Sequence, residues 1–143
     1  MKIAVLCNGP SRTLFTQPEN YDYIVGCNIP WTKVDATVVL DIEVVRKWAK
    51  EPELINVPTV FSRKAWMETD CIQNTPREFF RPYLVELVDV LPEYDSSGHH
   101  AVKYALRKGA SQIDIYGCDS WWARTIASHT HKYIKNLNPD DSQ

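Results

Sequence analysis

Apolar residues in this chain come in short runs separated by polar, Gly- or Pro-containing breaks. Residues 3–7, IAVLC, form a continuous apolar run ended by Asn8 and Gly9, which predicts a strand covered on both faces, as in a parallel sheet. Further strands are predicted at 21–27 (YDYIVGC, ended by Asn28), 36–40 (ATVVL, ended by Asp41), 57–62 (VPTVFS) and 112–117 (QIDIYG). Pro58 points to an edge or to the start of its strand. Residues 84–91, LVELVDVL, fit a strand or a helical turn. Between the strands the period changes to that of a helix. Over 42–50, Val44, Val45 and Trp48 share one face, with Arg46, Lys47 and Lys50 on the wetter side. Over 97–108, Ser97 reads as the N-cap, Ala101, Val102, Ala105 and Leu106 as the apolar stripe, and Gly109 as the C′ glycine. A terminal helix is predicted over 122–137 and a frayed polar tail over 138–143, while 63–82 reads as short helices or an irregular flap. Strands alternating with helices predict βαβ units. The expectation is a Rossmann-like, three-layer α/β fold with a mainly parallel sheet, as one domain over 1–143.

Composition narrows the partners. The 143 residues are 44% hydrophobic and 24% charged, with a net charge of −2. That balance argues against a nucleic-acid backbone or an anionic membrane as partner. Lys2 is followed by too few apolar residues for a signal peptide, and no run reaches transmembrane length. Cys7, Cys27, Cys71 and Cys118 are widely spaced without a C-x-x-C pair. They read as free, reduced thiols in a cytoplasmic protein. The oligomeric state is left open, a homo-oligomer being allowed.

Candidate chemistry collects at the strand ends. Gly9 reads as an N-cap and Pro10 as the first helical residue, with the N–H groups of Ser11 and Arg12 pointing outward as an anion site. The alternative is a plain strand-to-helix turn. In a parallel sheet the ends marked by Asn8, Asn28, Asp41 and Asp119-Ser120 share one edge. The helix start at Asp95-Ser96-Ser97-Gly98 belongs to that edge and offers a second set of N–H groups. Asparagine amides suit ribose hydroxyls or base edges. Adjacent histidines, His99-His100, diverge by about 100° on a helix and are poor joint ligands, so no metal site and no cofactor are expected. Neither a P-loop nor G-x-G-x-x-G is present.

The constellation resembles the Rossmann-like nucleotide-binding half of the bacterial sialyltransferases that use CMP-sialic acid, and is similar to the MptE-like group that includes pterin pyrophosphokinases. It is carried by Asn8-Gly9-Pro10-Ser11, by Cys27-Asn28, by Ser97-Gly98, and by Gly109 followed by Gly117-Cys118-Asp119. Compact relatives of this kind resemble products of phage-type genomes. The resemblance implies a glycosyltransferase-like protein that holds a nucleotide or nucleotide-sugar, CMP-type first, on Asn8, Gly9, Ser11, Asn28, Ser96, Ser97, Gly98, Asp119 and Ser120. A non-catalytic binding or sequestering module and an MptE-like pyrophosphokinase are the alternatives. Family enzymes carry a lid after the G-x-D. Here 24 residues, 120–143, follow Asp119, so a lid-less form is expected. Trp121 and Trp122 stand where an aromatic covers the ligand, or anchor the last helix. His131, ahead of His129, is the candidate general base, because histidine titrates near neutrality. Arg12 and Arg124 can meet a phosphate or lie on the surface. Cys118 is read as a buried thiol rather than a nucleophile.

Overall fold

The computed structural model describes residues 1–91 and 96–119. Asp95, Ser120, Trp121, Trp122, Arg124, His129 and His131, the helix expected over 122–137 and the tail at 138–143 all lie outside the described residues. Six strands, β1 (Lys2–Leu6), β2 (Tyr23–Cys27), β3 (Ala36–Val39), β4 (Thr59–Ser62), β5 (Leu84–Val88) and β6 (Gln112–Tyr116), form one sheet in the order β5-β4-β3-β2-β1-β6. Every pairing is parallel, and the register runs Val5↔Val25↔Ala36 across the centre and Val5↔Ile115 toward β6. The fold is α/β and Rossmann-like, as the alternation of patterns predicts.

The order of strands explains the layers. From β1 to β5 the chain moves steadily one way. It then returns across the sheet through α3 (Ser97–Arg107) to place β6 on the far side of β1. With right-handed crossovers, reversing direction moves the connection to the other face. Alternate residues sort accordingly. Ile3, Val5, Cys7, Val25, Cys27, Ala36, Val38 and Val60 pack with Ala101, Tyr104 and Ala105 of α3. On the opposite face, Val39 and Phe61 pack under α1 (Ile42–Lys50) and α2 (Arg63–Glu68) around Trp48, which is fully buried. Trp48 stacks on Phe61 and meets Phe79, Phe80 and Tyr83 edge-on, so truncating it to alanine costs about 3–5 kcal/mol. Nearer β6, Ala4 and Leu6 are covered by Phe15, Val34 and Trp31.

The helix over 42–50 has the bounds its periodicity predicts. Pro58 precedes a strand with neighbours on both sides, so it marks the strand's start and not an edge. Its carbonyl accepts from the Thr37 N–H at 3.0 Å. Residues 84–88 are a strand, at the sheet's edge. The region 63–82 is helical in short pieces: α2, then 3-10 turns at Thr69–Cys71, Arg77–Phe79 and Arg81–Tyr83. In α3 the cap shifts by one residue: Ser96, not Ser97, is the N-cap, its Oγ accepting from the His99 N–H at 3.3 Å. Leu106 is exposed, and its place on the buried face is taken by His100 and Tyr104. Gly109 ends the helix at φ +98°, as a C′ glycine does.

Candidate functional site

All strands run the same way, so their carboxyl ends share one edge. Along that edge each end is tied to its neighbour. The Asn8 amide donates to the Cys27 carbonyl at 3.3 Å. The Asn28 N–H donates to Val38 O at 2.7 Å, and Thr37 Oγ1 donates back to Asn28 O at 2.7 Å. Ser62 Oγ donates to Leu40 O at 2.7 Å. Asn8 and Asn28 are both buried, and Asn28 sits in the left-handed region at φ 62°, which asparagine tolerates better than most residues.

The Gly9–Ser11 turn does not offer the open anion site its sequence suggests. Pro10–Leu14 is a five-residue 3-10 turn with Gly9 as N-cap. The Ser11 N–H donates to Asp119 Oδ2 at 2.9 Å, and the Arg12 N–H donates back to Gly9 O at 3.1 Å. Asp119 thus occupies the place read as a phosphate position. The Gly9 N–H donates to Gly117 O at 2.7 Å, and the Gly117 N–H donates to Ser11 Oγ at 2.9 Å. The two turns are so close that a Cβ on Gly9 would lie 2.6 Å from Gly117 O, and one on Gly117, at φ +80°, 2.5 Å from Cys7 O. Here glycine is required by close approach as much as by conformation.

A disulfide completes this clasp. Cys7 and Cys118 are bonded, with Cα atoms 5.3 Å apart. This corrects the expectation of four free thiols, because β6 pairs with β1 and carries the turn holding Cys118 beside Cys7, an adjacency their 111-residue separation conceals. The cysteines therefore no longer argue for a reducing compartment. Cys27 and Cys71 are free. Burial pushes the Cys27 thiol up to about 12. Among the described residues no helix is long and apolar enough to cross a membrane. Arg12, read as a phosphate ligand or a surface residue, is buried, with its guanidinium over the Trp31 ring.

The second helix start is built differently. Its eleven-residue helix is long enough to carry a macrodipole, and Gly98 is buried in its first turn. Ser97 Oγ lies 3.5 Å from Asn28 Oδ1, which places the amino end of α3 over the end of β2. That contact is at the outer limit of a hydrogen bond, so a ligand hydroxyl or amide can replace it at little cost. The His99 ring approaches Ser96 Oγ at 3.0 Å through Nδ1. Of the expected site residues, Asn8, Asn28, Ser96, Ser97 and Gly98 thus belong to neighbouring parts of one edge, whereas Gly9, Ser11 and Asp119 belong to the clasp between β1 and β6. Asp41 stands at the N-cap position of α1, without a side-chain capping hydrogen bond, and is exposed.

Two residues join the edge without having been singled out: Thr37 beneath Asn28, and Trp31, whose Nε1–H donates to Cys7 O at 3.2 Å; His99, weighed only as a metal ligand, stands beside Ser96. Trp31 carried a signal, being a large aromatic three residues after a strand-ending asparagine in a polar connector. Thr37 carried none, since β-branched residues are ordinary in strands. A recess of about 130 Å³ lined by Pro30, Lys33, Val34, Ile55 and Val57 lies where the chain enters β3 and β4, at the amino edge, and is not part of this site. Among the described residues no group of three or more potential ligands is placed to hold a metal ion. No protein-family model matches the chain, and the curated proteins and solved structures yield no match.

Proposed function

We propose that the chain binds a nucleotide or nucleotide-activated sugar at the carboxyl edge of the sheet, between the end of β2 and the amino end of α3. The observation that carries this reading is the approach of Ser97 Oγ to Asn28 Oδ1 at 3.5 Å. It sets the positive end of an eleven-residue helix beside an amide that both donates and accepts. A phosphate suits the first and ribose hydroxyls suit the second. Asn8, one strand over, extends the polar floor. The resemblance carried by Asn8, Asn28, Ser97 and Gly98 makes a CMP-type nucleotide the first ligand to try and glycosyl transfer the reaction class, with pyrophosphoryl transfer as the variant in the MptE-like group.

A second reading, a binding module without turnover, has one observation in its favour. The Asp119 carboxylate, an acidic group at this edge, is buried and engaged by the Ser11 N–H, so it is committed to the fold and not poised as a base.

The test is a thermal-shift and calorimetric panel of nucleoside mono- and diphosphates and their sugars, CMP and CMP-sialic acid first. A CMP-type ligand is expected to raise the Tm. Asn28→Gly keeps the left-handed backbone while deleting the amide. It is expected to weaken binding about tenfold, the loss of roughly one hydrogen bond. Release of CMP from a CMP-sugar separates the transferase from the binding module. A panel in which nothing shifts the Tm defeats both.

A further inference from the structure

Three of the four cysteines meet at one point. Cys7 follows β1 and Cys27 closes β2, and the register Val5↔Val25, Leu6↔Gly26 sets the two side by side. Cys27 Sγ lies 3.8 Å from Cys7 Sγ, the sulfur already joined to Cys118. All three belong to the buried cluster between the sheet and α3. A free thiol in contact with a disulfide is the arrangement that thiol–disulfide exchange requires.

We propose that Cys27 is an internal exchange thiol that moves the bond from Cys7–Cys118 to Cys7–Cys27 and so releases the turn after β6. The Cys27 S–H gives up its proton, which ends on the departing Cys118 sulfur, and the thiolate attacks Cys7 Sγ. The Cys7–Cys27 bond forms as the Cys7–Cys118 bond breaks. Cys118 leaves with the electron pair and takes up a proton. One disulfide and one thiol stand on each side, so the step consumes neither oxidant nor reductant. Before exchange the covalent link ties β1 to the turn after β6. Afterwards it ties β1 to β2, and Gly117–Asp119 is held to β1 and its turn by the hydrogen bonds of Gly9 and Ser11. The device thus changes how firmly the Asp119 carboxylate is clamped on the Ser11 N–H. Because burial raises the Cys27 thiol, the exchange is slow near neutral pH and quickens as pH rises. The inference rests on the three sulfurs and is independent of the ligand reading.

The experiment follows the full chain, isolated with its disulfide, for increasing times at pH 7 and pH 9. Samples are quenched in acid, alkylated under denaturing conditions and mapped by peptide mass spectrometry. Label is expected to pass from Cys27 to Cys118 while a Cys7–Cys27 peptide appears, roughly tenfold faster per pH unit as the thiolate fraction grows. In Cys27→Ser, Cys118 is expected to stay unlabelled. Should Cys27→Ser fold poorly, Cys118→Ser tests the same contact: mild oxidation with diamide is expected to link Cys7 to Cys27. The proposal is overturned if wild-type Cys118 stays protected at both pH values, if it is labelled equally in Cys27→Ser, if the chain is isolated with four free thiols, or if Cys118→Ser links Cys7 to Cys71 or between molecules instead.

Discussion

The turn after β1, Gly9-Pro10-Ser11, and the start of α3, Ser96-Ser97-Gly98, carry much the same chemistry: small residues, serine hydroxyls and a helix start at the carboxyl edge of one parallel sheet. Their surroundings divide them. β6 lies against β1, so its Gly117-Cys118-Asp119 turn arrives beside Gly9 and fills the first helix start with a carboxylate, the two hydrogen bonds of Gly117 to Gly9 and Ser11, and a disulfide. The second start follows the crossover from β5, is capped by its own Ser96, and stands beside the strand-ending amide of Asn28. A helix amino terminus attracts negative charge in either case. Whether that charge comes from the protein or from a ligand is decided by which strand end is its neighbour. The first turn is read as part of the fold's framework and the second as the place for a ligand.

Substitutions can break this contrast. The largest effect is expected from Gly117→Ala, where a Cβ would meet Cys7 backbone atoms at 2.5 and 2.7 Å and the residue sits at φ +80°. A loss of about 3 kcal/mol in denaturant-measured stability is expected, with the fraction that folds binding nucleotide as before. Asp119→Ala removes the charged acceptor of the part-buried Ser11 N–H and is expected to cost about 2 kcal/mol, again without weakening a nucleotide. If Asp119→Ala instead tightened binding of phosphate, measured by calorimetry, the first turn would be a masked anion site and the contrast would collapse. Ser96→Ala removes the cap of α3 and should cost about 1 kcal/mol. Unlike the first two, it should also weaken a bound nucleotide, because it loosens the helix end proposed to hold the phosphate. Equal affinity before and after would move the ligand elsewhere.

The smallest effect concerns pH. On β6, the Asp114 carboxyl is held below its ordinary range by the hydrogen bond from Tyr21, then by Gln112 and the Lys2 charge, against an opposing effect of burial. Its folded value lies below its unfolded value. The stabilisation is therefore present above the ordinary carboxylate range, near pH 4, and is lost as pH falls through the depressed folded value. Acid unfolding followed by circular dichroism should show a shallower loss of stability over that window in Asp114→Asn. The Tyr21 hydroxyl is raised by desolvation and by its hydrogen bonds to Tyr116 and Asp114. Its contribution is fully present below about pH 10 and fades at higher pH. Both groups belong to the β1–β6 side, so binding at the α3 side should not follow them.

Much of the architecture was legible because it rests on local pattern. The apolar run at 3–7, the β-branched run at 36–40 and the Val44, Val45, Trp48 face each bury what their spacing says they bury. The one-residue shift of the α3 cap is of the size expected when two serines compete for one position. Pro58 left two positions open, an edge or a strand start, because a proline only needs its missing N–H to fall outside the ladder; the start of an inner strand is the one it takes. Leu106 misled because a period alone does not say which side of a helix the sheet will take.

By itself the sequence determined the alternation of strands and helices, and hence a parallel sheet whose polar strand ends share an edge. Hydrogen-bonded periodicity is a local property, so composition and spacing are enough to read it. Only the tertiary structure decided which ends touch. It paired β6 with β1, joined Cys7 to Cys118 across 111 residues, seated Asp119 on the Ser11 N–H and brought Cys27 within 3.8 Å of the bonded sulfur. Those contacts depend on strand order. Strand order follows from where the crossover through α3 reverses direction, which no short stretch of the chain encodes.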